Sequence, residues 1–182
     1  MAEVFTRRLS RWQAEQQRDD VADVYIEAYH GPIGQEFHLR QAFLDRFDRD
    51  SRRTGFDMVA ASDRATVAAA YGFQLDRSDN WWRSFTGNAP PRLEELTASG
   101  QVFAVAELMV LPAYRRQGVA GKLLDQLLLR SEATLATALV DPHSAAAGAA
   151  LRALGWTYIG DVRPGPAGSP ARQAWTHPRE PH

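Results

Sequence analysis

The sequence predicts an α+β domain, a mixed sheet with helices packed on it, from three observations. Segments of helical period alternate with short β-type apolar runs along most of the chain. One of those runs, QVFAVAELMVL, is apolar on both strand faces apart from Glu107, as a strand covered on both sides must be. It leads through a glycine loop directly into a Leu-rich helix. At 182 residues the chain matches the roughly 100–200 residues of one domain, so a single domain over 1–182 is expected, with a frayed tail at 178–182.

The elements follow in order. Val21, Val24, Tyr25 and Ala28 fall at i, i+3, i+4 and i+7, one stripe of a helix lying between Gln13 and His30 and stopped by Gly31-Pro32. A second stripe, Phe43, Leu44 and Phe47, runs from about Gln35 into the charged stretch DRFDRDSRR, read as solvent-facing, and Thr54-Gly55 closes it. FDMVAAS and ATVAAAYGF flank Asp63-Arg64 as a hairpin. The least regular stretch holds Trp81, Trp82 and Phe85, the loop GNAPP, and a short helix LEELTA with Pro91 before it and Gly100 after it. After the buried strand come the Leu-rich helix, with Leu123, Leu124, Leu127 and Leu128 at helical spacing, a strand TLATALVD, and an Ala-rich helix ended by Gly155. WTYIGDV and RQAWTH, joined by RPGPAGSP, close the sheet.

Composition narrows the function. There is no cysteine, which removes disulfides, thiolate metal sites and a Cys nucleophile. With 21 basic and 22 acidic side chains the net charge is −1, so no overall field draws the chain to nucleic acid or to an acidic membrane. The first twenty residues contain no apolar core, and the longest apolar stretch is broken by Glu107 and Pro112, so a cytoplasmic protein without a membrane span is expected. His30, His38, His143, His177 and His182 lack metal-ligand spacing, and no metal is expected. His143 and Ser144 are adjacent, a poor geometry for a base and its nucleophile.

The chemistry concentrates at Arg115, Arg116, Gln117, Gly118, Val119, Ala120, Gly121 and Lys122. Gly118 and Gly121 let backbone approach a ligand, and the free amides of a helix's first turn carry about half a unit of positive charge. Such a place binds phosphate, and Arg115, Arg116 and Lys122 add charge around it. It is not a Walker loop, because Arg116 stands where the first glycine belongs and Leu123 where Ser or Thr would hold magnesium. Nor is it a dinucleotide fingerprint, which needs three glycines after a first strand.

The stretch resembles the signature of the GNAT superfamily of acyl-CoA-dependent N-acetyltransferases: Arg or Gln, two residues, Gly, one residue, then Gly or Ala, filled here by Arg115, Gly118 and Ala120. ELMVLPAY is similar to the family's lead-in, and the order of elements also matches, so the resemblance covers a recognisable core at about 13–177, with Glu107 to Leu128 its specific part. The resemblance implies a three-layer fold with a mostly antiparallel central sheet flanked by helices and strands splayed at the acyl-CoA site. It implies that the strand with Leu108, Met109 and Val110 binds pantetheine through main chain, that Ser144 stands where an asparagine contacts the cofactor, and that acetyl-CoA is the co-substrate. The family's tyrosine acid, counted back from Gly155-Trp156, falls on Leu151, so that acid is absent, with Tyr158 as a possible substitute.

An alkyl ammonium has a pKa near 10.4, so presenting it neutral at pH 7 costs about 4.6 kcal/mol. Glu107 is the one ionisable side chain between Gln101 and Tyr114, and burial would raise its pKa to useful base strength. The alternative is that it pairs structurally with an arginine such as Arg83 or Arg92. Trp81, Trp82 and Phe85 read as core filling, with a lid as the other option, and Asp19, Asp20, Asp23 and Glu27 as a solvated helix face. The expected activity is direct acetyl transfer from acetyl-CoA to a primary amine of a small molecule, peptide or protein, by a monomer or homodimer. The alternatives are an acyl-CoA-binding module with little turnover and a partner-binding domain without cofactor.

Overall fold

The computed structural model describes residues 3–29 and 34–180. His30, Gly31-Pro32 and His182, to which the sequence assigned surface, helix-stop and tail roles, lie outside the described residues. The fold class is the expected one, a mixed and mostly antiparallel sheet with helices on it. The chain divides into two compact units. One holds the chain up to Phe73 together with Ala106–Ser131, the other Gln74–Val105 with the remainder from Glu132.

The first unit contains β1 (Phe5–Leu9), α1 (Arg11–Gln16), α2 (Arg18–Tyr29), α3 (Glu36–Asp50), β2 (Asp57–Asp63), most of β3 (Ala65–Gln74), the second half of β5 (Val102–Val110) and α5 (Val119–Leu128). Its strands run in the order β1-β2-β3-β5. Ser10 and Gln13 form a capping box at α1, each side chain bonded to the other's main-chain N–H. Side chains alternate along a strand, so Met58 and Ala60 of β2 join Val21, Val24, Phe43, Phe47, Tyr71 and Met109 in one core under α2 and α3. Val59 and Ala61 are buried on the opposite face, where α5 packs on β2 with Leu123 and Leu127 fully covered. The β2–β3 hairpin is as expected, with Arg64 at φ 64 in its turn.

The second unit contains β4 (Thr86–Gly87), α4 (Leu93–Ala98), the first half of β5, β6 (Leu135–Val140), α6 (Ala145–Ala153), β7 (Thr157–Val162) and β8 (Arg172–Pro178), ordered β5-β6-β8-β7-β4. β5 and β6 are parallel over Val102–Val105 and Leu135–Ala138, and the other pairs are antiparallel. Thr137 is fully buried and fully used: its hydroxyl donates to Trp175 O at 2.9 Å and accepts from Trp81 Nε1 at 3.2 Å. Trp82 donates to Thr97 at 3.0 Å and packs with Phe85 against Ile159, Val162 and Ala174. These aromatics are half-buried, and Trp82 and Phe85 pack against the core of this unit without being part of it. Strand β8 extends into the segment expected to be frayed: Pro178 lies opposite Leu135, and Arg179 N donates to Thr134 O at 2.8 Å.

β4 is held by a close glycine pair. Gly87 lies opposite Gly160, both at positive φ (146 and 153), and a Cβ on Gly160 would sit 2.2 Å from Thr86 O. Gly160→Ala therefore forces β4 off β7. The expected cost is about 2 kcal/mol, a fall in melting temperature of roughly 4–8 °C, read by thermal denaturation against wild type.

Candidate active site

The first unit carries the candidate site. Glu107 and Met109 point from β5 to the α2–α3 face; Met109 is fully buried there, and the Glu107 side chain retains 15% exposure. Both carboxylate oxygens have partners. Tyr29, the last residue of α2, donates its hydroxyl to Oε2 at 3.2 Å, and Arg46 of α3 makes an ion pair with Oε1 at 3.6 Å. Arg46 lies over the Tyr25 and Phe43 rings at 5.4 and 5.9 Å, contacts that fix the guanidinium's position. Behind it Tyr71 donates to Asp50 at 3.4 Å.

Burial is the main influence on these groups and pushes Glu107 up to about 7. Arg46 and the Tyr29 hydrogen bond hold it back, while Asp50 adds to the rise. Burial and the Glu107 carboxylate raise Tyr29 and Tyr71 well above the usual phenol range, so both remain protonated donors. Burial also raises Asp50.

The structural partner of Glu107 is therefore Arg46, not Arg83 or Arg92. Arg83 donates to Gly165 O at 3.2 Å and Arg92 pairs with Glu95 at 2.9 Å. The charged run DRFDRDSRR is likewise not simply solvent-facing. Phe47 is core, Asp48 pairs with Arg18, Arg46 and Asp50 turn inward, and Arg53 lies over Phe73 at 3.9 Å.

The loop after β5 is braced by its own main chain. Leu111 N donates to Val67 O at 3.0 Å, Pro112–Tyr114 form a 3-10 turn, and Tyr114 donates to Asp63 at 2.8 Å. Arg115 departs from its expected role: its guanidinium donates to Val110 O at 3.0 Å and to Ala28 O at 2.7 Å, so its charge is directed to carbonyls of β5 and α2. Gln117 donates to Ala113 O at 3.0 Å. Arg116 (φ 60) and Gly118 (φ 77) turn the chain into α5, where no side chain caps the helix. A Cβ on Gly118 would meet nothing within 4 Å, so the space beside that glycine is open. Val119 is buried and anchors the turn; Ala120 and Gly121 are partly exposed, and Arg116 and Lys122 are exposed. Leu108 and Val110 are partly exposed, and a carbonyl such as that of Val110 has a second lone pair for a ligand donor.

The other candidates are in the second unit. Ser144 precedes α6, exposed and without a side-chain cap bond. Leu151 is buried, so the family's tyrosine position is filled by apolar packing. Tyr158 donates to Asp161 at 2.8 Å. His177 stacks on Trp156 at 5.5 Å, whereas His38, a residue of the first unit, meets Phe37 edge-on. Back in the first unit, Asp19 and Asp23 hold Arg40, and Asp20, Asp23 and Glu27 border a cleft of about 560 Å³ with Arg7 and Arg64.

Sequence reasoning missed Tyr29, Arg46 and Asp50. A signal existed for Arg46, which is three residues after Phe43 and one before Phe47 and so borders the buried stripe.

Residues 18–156 match the acetyltransferase (GNAT) family, and the chain belongs to that family. No curated protein matches it by sequence. Among solved structures it is similar to an acetyltransferase of the GNAT family from Desulfovibrio desulfuricans, with TM-score 0.63, 14% identity, and 97% and 99% of the two chains covered. It is also similar to PaiA N-acetyltransferase from Thermoplasma acidophilum in complex with coenzyme A (0.61, 12%, 97% and 99%). A third similar structure is the ribosomal-protein-S18-alanine N-acetyltransferase from Escherichia coli (0.60, 15%, 97% and 94%).

A raised carboxyl pKa has a stability consequence of definite sign. Between the unfolded value of about 4.5 and the folded value of about 7 the native state binds more protons, so stability falls as pH rises through that window, by roughly 3 kcal/mol for Glu107. Urea denaturation at pH 4.5 and pH 8 should show this fall in wild type, and Glu107→Gln should lack a comparable part of it.

Proposed function

We propose that this protein transfers an acetyl group from acetyl-CoA to a primary amine by direct attack, with Glu107 as the base. The observation that carries the reading is the start of α5, where no side chain caps the helix and a Cβ on Gly118 would meet nothing within 4 Å. Arg116, Gln117, Gly118, Val119, Ala120, Gly121 and Lys122 would hold the pyrophosphate there, mostly through main chain, with Arg115 keeping the loop in place. Leu108, Met109 and Val110 would offer strand main chain to the pantetheine arm. Bound acetyl-CoA supplies the activated acyl carbon and a sulfur leaving group. The coenzyme A complex of the Thermoplasma acidophilum protein and family membership support this assignment.

Glu107 supplies what the amine lacks. A carboxylate with a proton affinity near neutrality accepts a proton at pH 7 far better than an ordinary surface glutamate would. Arg46 keeps the ionised form from being lost to burial altogether. Direct transfer follows from the absence of cysteine, which leaves no thiol to carry an acyl intermediate. A second reading, acyl-CoA binding with slow turnover, is favoured by Leu151, which leaves that position without a phenol to protonate the departing thiolate.

Two experiments test the assignment. Gly118→Asp should fold, because Asp tolerates the left-handed region better than most residues and its Cβ meets nothing, yet it puts a carboxylate where phosphates belong. Calorimetric affinity for acetyl-CoA should fall at least 100-fold, and retained affinity refutes the phosphate site. With an acceptor found by mass shift from pooled amines, kcat/KM should rise to a plateau with a midpoint near pH 7, and Glu107→Gln should lose both the limb and about 100-fold or more in rate. Binding without thiol release across the pool selects the second reading.

A further inference from the structure

We infer that Tyr29 is a catalytic residue, the hydroxyl through which the acceptor amine's proton reaches Glu107. This rests on the reading of Glu107 as the base and adds the route to it. The Glu107 side chain is 15% exposed, and each of its oxygens has a partner, Arg46 on Oε1 and Tyr29 on Oε2. Little of the carboxylate is therefore open to an amine arriving from solvent, although each oxygen keeps a further lone pair. Tyr29 is different: it ends α2 with 52% of its surface exposed while its hydroxyl bonds Oε2 at 3.2 Å. A phenol oxygen that donates one hydrogen bond keeps lone pairs to accept another. The residue thus joins an exposed ring at the end of α2 to a carboxylate that is largely covered.

The step balances. The amine nitrogen forms its bond to the acyl carbon and gives an N–H proton to Tyr29 Oη. In the same event the Tyr29 proton passes to Glu107 Oε2. The C–S bond breaks and sulfur leaves with the electron pair. Tyr29 ends neutral, as it began, and Glu107 holds the proton until solvent removes it. No free phenolate forms, so the raised proton affinity of Tyr29 is no obstacle. A double transfer needs the middle group in fixed geometry, and Tyr25 packs on the Tyr29 ring at 4.7 Å.

The groups facing Glu107 are Tyr25 and Tyr29 of α2, Arg46 and Asp50 of α3, and Tyr71 of β3. Arg46 is an ion-pair partner without a removable proton at these pH values, and the Tyr71 hydroxyl is turned to Asp50. Tyr29 is the one of these that joins an exposed surface to the carboxylate.

The test is Tyr29→Phe, which keeps the ring and its packing. Four readouts are taken: acetyl-CoA affinity by calorimetry, kcat/KM with the amine found in the pooled screen, the rate as a function of deuterium fraction in the solvent, and the Glu107 carboxyl titration followed by 13C NMR in the free protein. The relay predicts affinity within twofold of wild type and kcat/KM lowered about 100-fold. It predicts a curved deuterium dependence in wild type, two protons moving, that becomes linear in the variant. The NMR midpoint should move up from about 7, because a hydrogen bond to the ionised form is lost. Wild-type kcat/KM in Tyr29→Phe, or a linear deuterium dependence in wild type, overturns the relay. If Glu107→Gln is then still impaired, the base reading survives without it. Unimpaired Glu107→Gln, or no acetyl transfer by wild type to any amine, overturns both.

Discussion

A carboxylate withdrawn from water is the constraint around which the first unit is arranged. Leaving Glu107 charged on a buried strand costs free energy unless opposite charge and hydrogen bonds replace the lost hydration. Arg46 and Tyr29 provide that replacement from two different helices, so the ends of α2 and α3 must both reach the same point on β5. The apolar stripes of those helices accomplish this, since Val21, Val24, Phe43 and Phe47 share a core with Met58, Tyr71 and Met109. Packing sets the distances, and the distances set the proton affinity.

The other half of the site is built by a different kind of economy. From Val110 to Gly118 the loop satisfies itself through Arg115, Gln117, Tyr114 and a 3-10 turn, which leaves the first amides of α5 unclaimed. Two consecutive demands for positive φ, at Arg116 and Gly118, give the chain its sharp entry into the helix. The start of α5 is left without a side-chain cap.

Much of this was legible in the sequence, for reasons that differ by element. The Leu-rich helix, the hairpin around Asp63-Arg64 and the buried strand were readable because their periods are enforced by packing. The signature loop was readable because glycine at a helix start has few other uses. Strand β1, FTRRL, was not: its alternation is masked by two arginines, and Arg8 is held by Asp57 and the Gln126 carbonyl, partners distant in sequence. β4 is two residues long and exists through its glycine contact with β7, which no local pattern encodes. Arg46 and Asp50 were hidden in a run of alternating charge, where the difference between a solvated arginine and an inward one is made by tertiary neighbours.

Arg115 shows why the signature position is filled by a guanidinium rather than an ammonium. Its planar fork reaches two carbonyls that belong to different elements, Val110 at the end of β5 and Ala28 near the end of α2. A single point charge on a flexible stem has no fixed pair of vectors with which to clamp both. The same side chain thus ties the loop that leads into α5 to the helical turn that presents Tyr29, and any shift of the one is mechanically transmitted to the other.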